Sequence, residues 1–197
     1  MKGAVPTLDP RSPLVLDIRE LGRRAGSIME TARVVPAPAD LAVALARVPE
    51  GADLALHVQC ESAGEGIWVT GSVDFTVVGE CARCLEPLSW PQEATFEELF
   101  AYPPTDARGA RVDEDNDDEE RDRSLVEDDL IDLEPIVRDA IVLSLPMAPM
   151  CREQCAGLCP TCGVRLEAGH DHRHETIDPR WEALRALTDD TENEKDN

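Results

Sequence analysis

Apolar and polar side chains alternate most cleanly in the middle of the chain. Leu54, Leu56, Val58 and Cys60 stand against Ala55, His57 and Gln59, and beyond Ser62-Ala63-Gly64-Glu65-Gly66 the residues Ile67, Val69, Val73, Phe75 and Val77 share one face. Period-two alternation on both sides of a Gly-rich turn predicts a β-hairpin. A third strand is predicted from Leu88 to Phe100. Pro91 puts that part at an edge or a bulge, because proline has no N–H to give a ladder. Leu14 to Ile18 reads as a short strand leading into a helical turn over Arg19–Arg24, closed near Gly26. Ala37 to Val48 has helix formers after Pro38, with Leu41, Leu45 and Val48 on one face, and reads as a helix ended by Pro49.

Farther along, Leu125–Ile131 predicts a strand, followed by a helix whose wide apolar face holds Ile136, Val137, Ala140, Ile141 and Leu143–Leu145. Asp132 can cap it, Glu134 suits the positive end of its dipole, Pro135 fits the first turn and Pro146 ends it. Packed on the hairpin sheet, the helix gives an α+β fold: an antiparallel, hairpin-rich sheet with packed helices and a small cysteine-rich C-terminal module. The expected division is a β-rich part over 1–104, an acidic loop over 105–123, a strand and helix completing the core over 124–149, a Cys/His-rich module over 150–187, and a tail over 188–197.

Charge changes this picture in one region. Of the net −22, residues 1–105 carry −7, residues 106–134 carry −10, residues 135–187 carry −1 and residues 188–197 carry −4. The acidic stretch has almost no apolar side chains and cannot bury enough surface to offset ordering entropy, so a disordered loop is expected there. This distribution argues against a broad electrostatic grip on phosphates, because nucleic-acid affinity normally comes from neutralising backbone charge with Lys and Arg. The nearly neutral C-terminal part is the region where contact with RNA stays open, with Arg83, Arg152, Arg165, Arg173 and Arg180 as candidates. The N-terminus has no apolar run like that of a signal peptide, and no stretch approaches the roughly 20 apolar residues of a membrane span. A cytoplasmic protein with no membrane contact is expected.

In that compartment clustered cysteines point to metal or redox chemistry rather than disulfides. Six of the seven cysteines have metal-site spacing: Cys81-Ala-Arg-Cys84, then Cys151, Cys155, Cys159 and Cys162. Cys60 continues the apolar face of its strand and reads as core. Around the later cysteines, Pro149, Gly157, Pro160 and Gly163 supply turns and almost no apolar residue is available for a separate core. Such a segment needs a staple. Four thiolates on Zn²⁺ would provide one, with an apparent binding free energy on the order of 10 kcal/mol. Spacing leaves two ligand sets open. One is a single site from Cys151, Cys155, Cys159 and Cys162; the other joins Cys81 and Cys84 to Cys159 and Cys162, as in a zinc ribbon. His170, His172 and His174 follow and could complete a site or form a solvated loop. Asp178-Pro-Arg-Trp181 starts a short helix with Trp181, Leu184 and Leu187 on its apolar edge.

In order along the chain come Cys81-Ala-Arg-Cys84-Leu-Glu-Pro, the acidic stretch, Ile131-Asp-Leu-Glu-Pro-Ile-Val-Arg-Asp-Ala-Ile-Val-Leu-Ser-Leu-Pro146, and Gly157-Leu-Cys-Pro-Thr-Cys-Gly163. With the Asp178-Pro-Arg-Trp ending, this order resembles the large ribosomal RNA subunit accumulation protein family (YceD-like). The resemblance runs from about Leu14 to Leu187. It implies a bacterial or chloroplast factor linked to accumulation or processing of 23S ribosomal RNA and to assembly of the large subunit. Some members lack the C-terminal cysteines, so a zinc site shared by both motifs is not a family-wide requirement. Others carry Cys-x-Cys where this chain has His170-Asp-His172, which keeps His170 and His172 among the ligand candidates.

No phosphate-cradling Gly-rich loop, Gly-x-Ser-x-Gly elbow or His-Glu-x-x-His helix occurs, so neither an enzyme nor a small-molecule substrate is expected. The implied partner is ribosomal RNA or a pre-large-subunit particle; the acidic charge suggests a basic ribosomal protein as the direct contact, with RNA reached only through a local patch. The competing class is a thiol-redox or zinc-thiolate redox-sensing protein, suggested by Cys159-Pro-Thr-Cys162. A zinc-ribbon adaptor for transcription has only fold-level analogy behind it.

Overall fold

The computed structural model describes residues 8–103, 124–166 and 172–174. The expected acidic loop, the Asp178 helix, the acidic tail, His170 and Arg180 lie outside the described residues. The strands are β1 (Val15–Asp17), β2 (Ile28–Pro36), β3 (Ala46–Arg47), β4 (Asp53–Ser62), β5 (Gly66–Glu80), β6 (Pro87–Ala101) and β7 (Leu130–Asp132). One helix follows, α1 (Glu134–Ser144).

The antiparallel hairpin is the spine of the molecule. β5 and β6 pair along their whole length, from Gly66 opposite Ala101 to Glu80 opposite Pro87. β4 takes the other edge of β5 from Ile67 to Asp74, and β2 lies outside β4. Leu54, Leu56, Val58, Cys60, Ile67, Val69, Val73, Phe75 and Val77 are all buried on one side of this sheet. Gly71 interrupts the apolar series because the Phe96 ring lies over it; a Cβ there would stand 2.6 Å from that ring. Pro91 sits in β6, which pairs with β5 on one side and on the other meets only Leu125, by a single bridge at Ala101, so Pro91 lies at an edge as its missing N–H requires.

β1 and β7 form a second, two-stranded antiparallel sheet. With Val137, Ile141 and Leu145 of the helical segment, Leu16 and Ile131 join the inner face of the large sheet in one core. The helix starts one residue later than a cap at Asp132 would set it: Leu133 occupies the N-cap position with no side-chain cap bond, while Asp132 Oδ1 accepts from Glu134 N–H at 2.9 Å just outside. It ends where Leu145 turns extended ahead of Pro146, the conformation a following proline imposes. Gln92 of β6 ties its far end down, donating to the Ser144 carbonyl at 2.7 Å while accepting from Trp90 Nε1 at 3.0 Å.

Two expectations are corrected. Only one helix occurs among the described residues, so the plural helices of the expected α+β fold reduce to α1. Segment 37–48 is instead a tight loop folded back on itself, with Val48 N–H donating to Leu41 O and Val43 N–H to Ala46 O. The cause is tertiary. β4 leaves the last third of β5 uncovered, and β3 fills that edge opposite Val78 and Gly79. Ladder pairing there outweighs the high helix propensity of Ala and Leu, which tertiary context readily overrides. Gly79 permits the approach: a Cβ on it would meet Leu45 O at 2.4 Å. Of the helical turn expected over Arg19–Arg24 only a single reverse turn forms, with Leu21 N–H donating to Ile18 O, and Gly22 at φ +68° takes the chain out of helical conformation. β2 is an additional strand without a sequence forecast, since Arg33 and Thr31 face inward while Ile28 and Val34 face out.

Candidate metal centres

The β5–β6 turn is a knuckle. Cys81 N–H donates to Glu86 O at 2.8 Å, and Leu85 N–H returns to Cys81 O at 2.9 Å. The turn needs a left-handed residue after its second cysteine, and Leu85 adopts φ +57° there. Seventy-eight residues later the pattern repeats. Cys159 N–H donates to Val164 O at 2.8 Å, Gly163 N–H returns to Cys159 O at 2.8 Å, and Gly163 has φ +71°. In each knuckle the first sulfur accepts N–H groups from the next residues but one and two: Arg83 and Cys84 for Cys81, Thr161 and Cys162 for Cys159. A thiolate that accepts several backbone N–H bonds is favoured over the thiol. Cys81, which also accepts from Cys151 N–H, and Cys159 are both pulled down to about 6.

The two knuckles belong to different clusters. Cys81 and Cys84 meet Cys151 and Cys155, whereas Cys159 and Cys162 meet His172 and His174; within each group all ligand atoms lie within 4.8 Å of one another. Neither ligand set left open by spacing occurs. The single site over 151–162 fails because Cys155 and Cys159 flank Gly157, whose φ of +79° turns the chain from one knuckle to the other. The joined knuckles fail because the 149–158 loop is clamped onto the first one. Ala82 N–H donates to Pro149 O at 2.8 Å, Leu158 N–H to Arg83 O at 3.1 Å, and Arg83 Nη1 to Cys155 O at 3.0 Å. A Cβ on Gly157 would press on Arg83 O at 3.1 Å, so glycine fits the close approach as well as the turn.

The first cluster suits a tetrahedral ion. Four bonds of about 2.3 Å span sulfur–sulfur edges of roughly 3.8 Å; Cys81 to Cys155 measures 3.8 Å and Cys84 to Cys151 measures 3.7 Å. Cys81, Cys84 and Cys155 are buried, and only Cys151 is exposed. Desolvation of its sulfur, then hydrogen bonding with the neighbouring Cys155 and Cys84 thiols, push Cys151 up to about 12, although the residue as a whole is exposed.

The second cluster has two sulfurs and two imidazoles. Cys162 Sγ lies 3.2 Å from both His172 Nε2 and His174 Nε2, and the two nitrogens are 2.8 Å apart. These spans are a few tenths of an ångström tighter than the roughly 3.3–3.6 Å edges of a tetrahedral S₂N₂ site, a small expansion for side chains this exposed. The His172 and His174 rings meet edge to face, with centroids 4.6 Å apart. Of the triplet His170, His172 and His174, the cluster takes His172 and His174, so the favoured pair of His170 and His172 is matched at His172 alone, His170 lying outside the described residues.

Of the candidate RNA contacts, Arg83 holds the Cys155 carbonyl and Arg165 pairs with Glu86 across the knuckles. Arg152 accepts Cys155 N–H on its carbonyl, and Arg173 stands between the two histidines. Cys60 is fully buried in the core, with its thiol pushed up to about 11 by burial. Among the described residues no helix is long and apolar enough to cross a membrane.

An antiparallel sheet whose longest hairpin ends in a dithiol knuckle, with a second knuckle clamped beside it, defines a small cysteine-clasped α+β protein. The chain belongs to the family of the large ribosomal RNA subunit accumulation protein YceD, whose profile matches residues 69–188. That span holds both knuckles and α1. An uncharacterized protein of Mycobacterium tuberculosis is 45% identical over 173 residues, covering 88% of this chain and 80% of its own length. One from Mycobacterium leprae is 39% identical over 173 residues, with 88% and 76% covered. The uncharacterized protein YlbN of Bacillus subtilis is 36% identical over 122 residues, with 59% and 65% covered. No solved structure matches the chain.

Proposed function

We propose that the protein is a non-enzymatic, cytoplasmic factor that supports accumulation of 23S ribosomal RNA and assembly of the large ribosomal subunit. The observation carrying this reading is the family match across residues 69–188, which takes in both cysteine clusters. Its resident metal is zinc: all-sulfur and mixed sulfur–imidazole tetrahedral sets suit that ion. Four protein donors per ion leave no open position for water or substrate, which favours a structural role over a catalytic one. The metals would fasten the 149–166 segment to the end of the β5–β6 hairpin and so present it as a rigid surface. Contact with the immature subunit runs through a basic ribosomal protein, because a chain of net charge −22 repels phosphate.

Deleting the gene should lower 23S relative to 16S ribosomal RNA and reduce free and assembled large subunits in a sucrose gradient. A deletion strain with normal 23S levels and a normal profile would overturn the reading. The redox alternative has less support, since each Cys-x-x-Cys lies in a knuckle with further ligand atoms beside it rather than at a helix N-terminus.

A further inference from the structure

The large sheet has a second face, turned away from the core, and none of the strand side chains that point from it is buried. Strand register lines up Ile28, Glu61, Trp68 and Leu99 as one row across four strands. Ile28 is 57% exposed and Trp68 40% exposed. The row is amphipathic, with the Glu61 carboxylate between exposed Ile28 and Trp68, and tryptophan is among the side chains enriched where partners bind. Beside the row, the small side chains Ala32, Thr70 and Ser72 leave a shallow depression of about 560 Å³, edged by Glu30 and His57.

Charge identifies the occupant. Glu30, Glu61, Asp74, Glu93 and Glu97 all point from this face, and β2, β4, β5 and β6 place no Lys or Arg on it. Among the strand residues the one cation whose register puts it on this side is Arg47, at the β3 corner. RNA would meet repulsion from every direction here.

We propose that this face docks a basic, arginine- or lysine-rich protein segment that seats an apolar side chain against Trp68. The carboxylates steer the segment in and pair with its cations, while Trp68 supplies the desolvated anchor. The assignment rests on the large-subunit reading above and gives its protein contact a location.

The test uses the full-length, metal-loaded chain, immobilised. One sample receives the acid-extracted protein fraction of purified large subunits, and another receives protein-free ribosomal RNA from the same subunits. Defined basic proteins should be retained, with retention falling as salt rises. The variant Trp68→Ser/Glu61→Gln/Glu97→Gln should lose it by about tenfold or more. Glu20→Gln/Glu50→Gln, a charge change away from the face, should keep it. Equal loss in both variants, no loss in the first, or retention of the RNA through the same residues would each overturn the proposal. Circular dichroism of the exposed-face variant confirms that it folds. If gene deletion lowers 23S RNA yet the face variant restores it fully, the docking surface is wrong while the large-subunit reading stands. If deletion changes nothing, that reading is the one that fails.

Discussion

Leu85 and Gly163 occupy the same position in two knuckles of like hydrogen bonding, yet only one of them is glycine. A left-handed non-glycine residue costs roughly 1–2 kcal/mol. Leu85 is 53% exposed, so little burial offsets that cost. Leu85→Gly should therefore raise the urea midpoint, or leave it level once the added unfolded-chain entropy is counted, whereas Gly163→Leu should weaken the second knuckle. A lower midpoint for Leu85→Gly would show that its side chain contributes packing beyond the turn. The cysteines differ just as sharply. Cys60, raised to about 11, holds its proton at neutral pH inside the core. After chelation, iodoacetamide should label the six cluster cysteines and reach Cys60 only in denaturant. Cys151, raised to about 12, is likewise protonated in the metal-free state, so loading the first cluster must expel that proton. Zinc titrations in two buffers of different ionisation enthalpy should show about one proton or more released per ion. Affinity should fall as pH falls, since protons compete for the same sulfurs.

At the scale of elements, the ligand partition decides which segments depend on one another. Cys81→Ser/Cys84→Ser and Cys151→Ser/Cys155→Ser should each remove one of two zinc equivalents, and combining them should remove no more than either alone. Cys159→Ser/Cys162→Ser should remove the other. Elemental analysis of purified protein reads this directly; additive loss from the first two pairs would contradict the shared site. Helix α1 depends on its apolar stripe rather than on its ends. Ile141 is fully buried against the sheet, and Ile141→Ala should cost about 2–5 kcal/mol in denaturant unfolding.

The whole molecule joins parts of different origin of stability. The sheet core holds through aliphatic burial, while segment 149–166 contributes few core residues and is held by knuckle hydrogen bonds and shared ligand clusters. Chelation should thus release amide protection across 149–166 with little change in β4 and β5, as hydrogen exchange would show. Uniform loss across the sheet would mean the ions stabilise the core itself.

Strands β4, β5 and β6 and helix α1 were legible in the sequence because each carries its burial pattern within itself: period two in Leu54 to Cys60, a wide stripe in Val137 to Ile141. The dithiol spacing of each knuckle was equally local. Segment 37–48 and β2 were not legible, because an uncovered edge of β5 dictates one and the other faces Arg33 inward. The ligand sets were out of reach for the same reason. Which sulfurs meet depends on where the β5–β6 turn and the 149–158 loop lie in space, some seventy residues apart along the chain, and spacing along a chain holds no information about that distance.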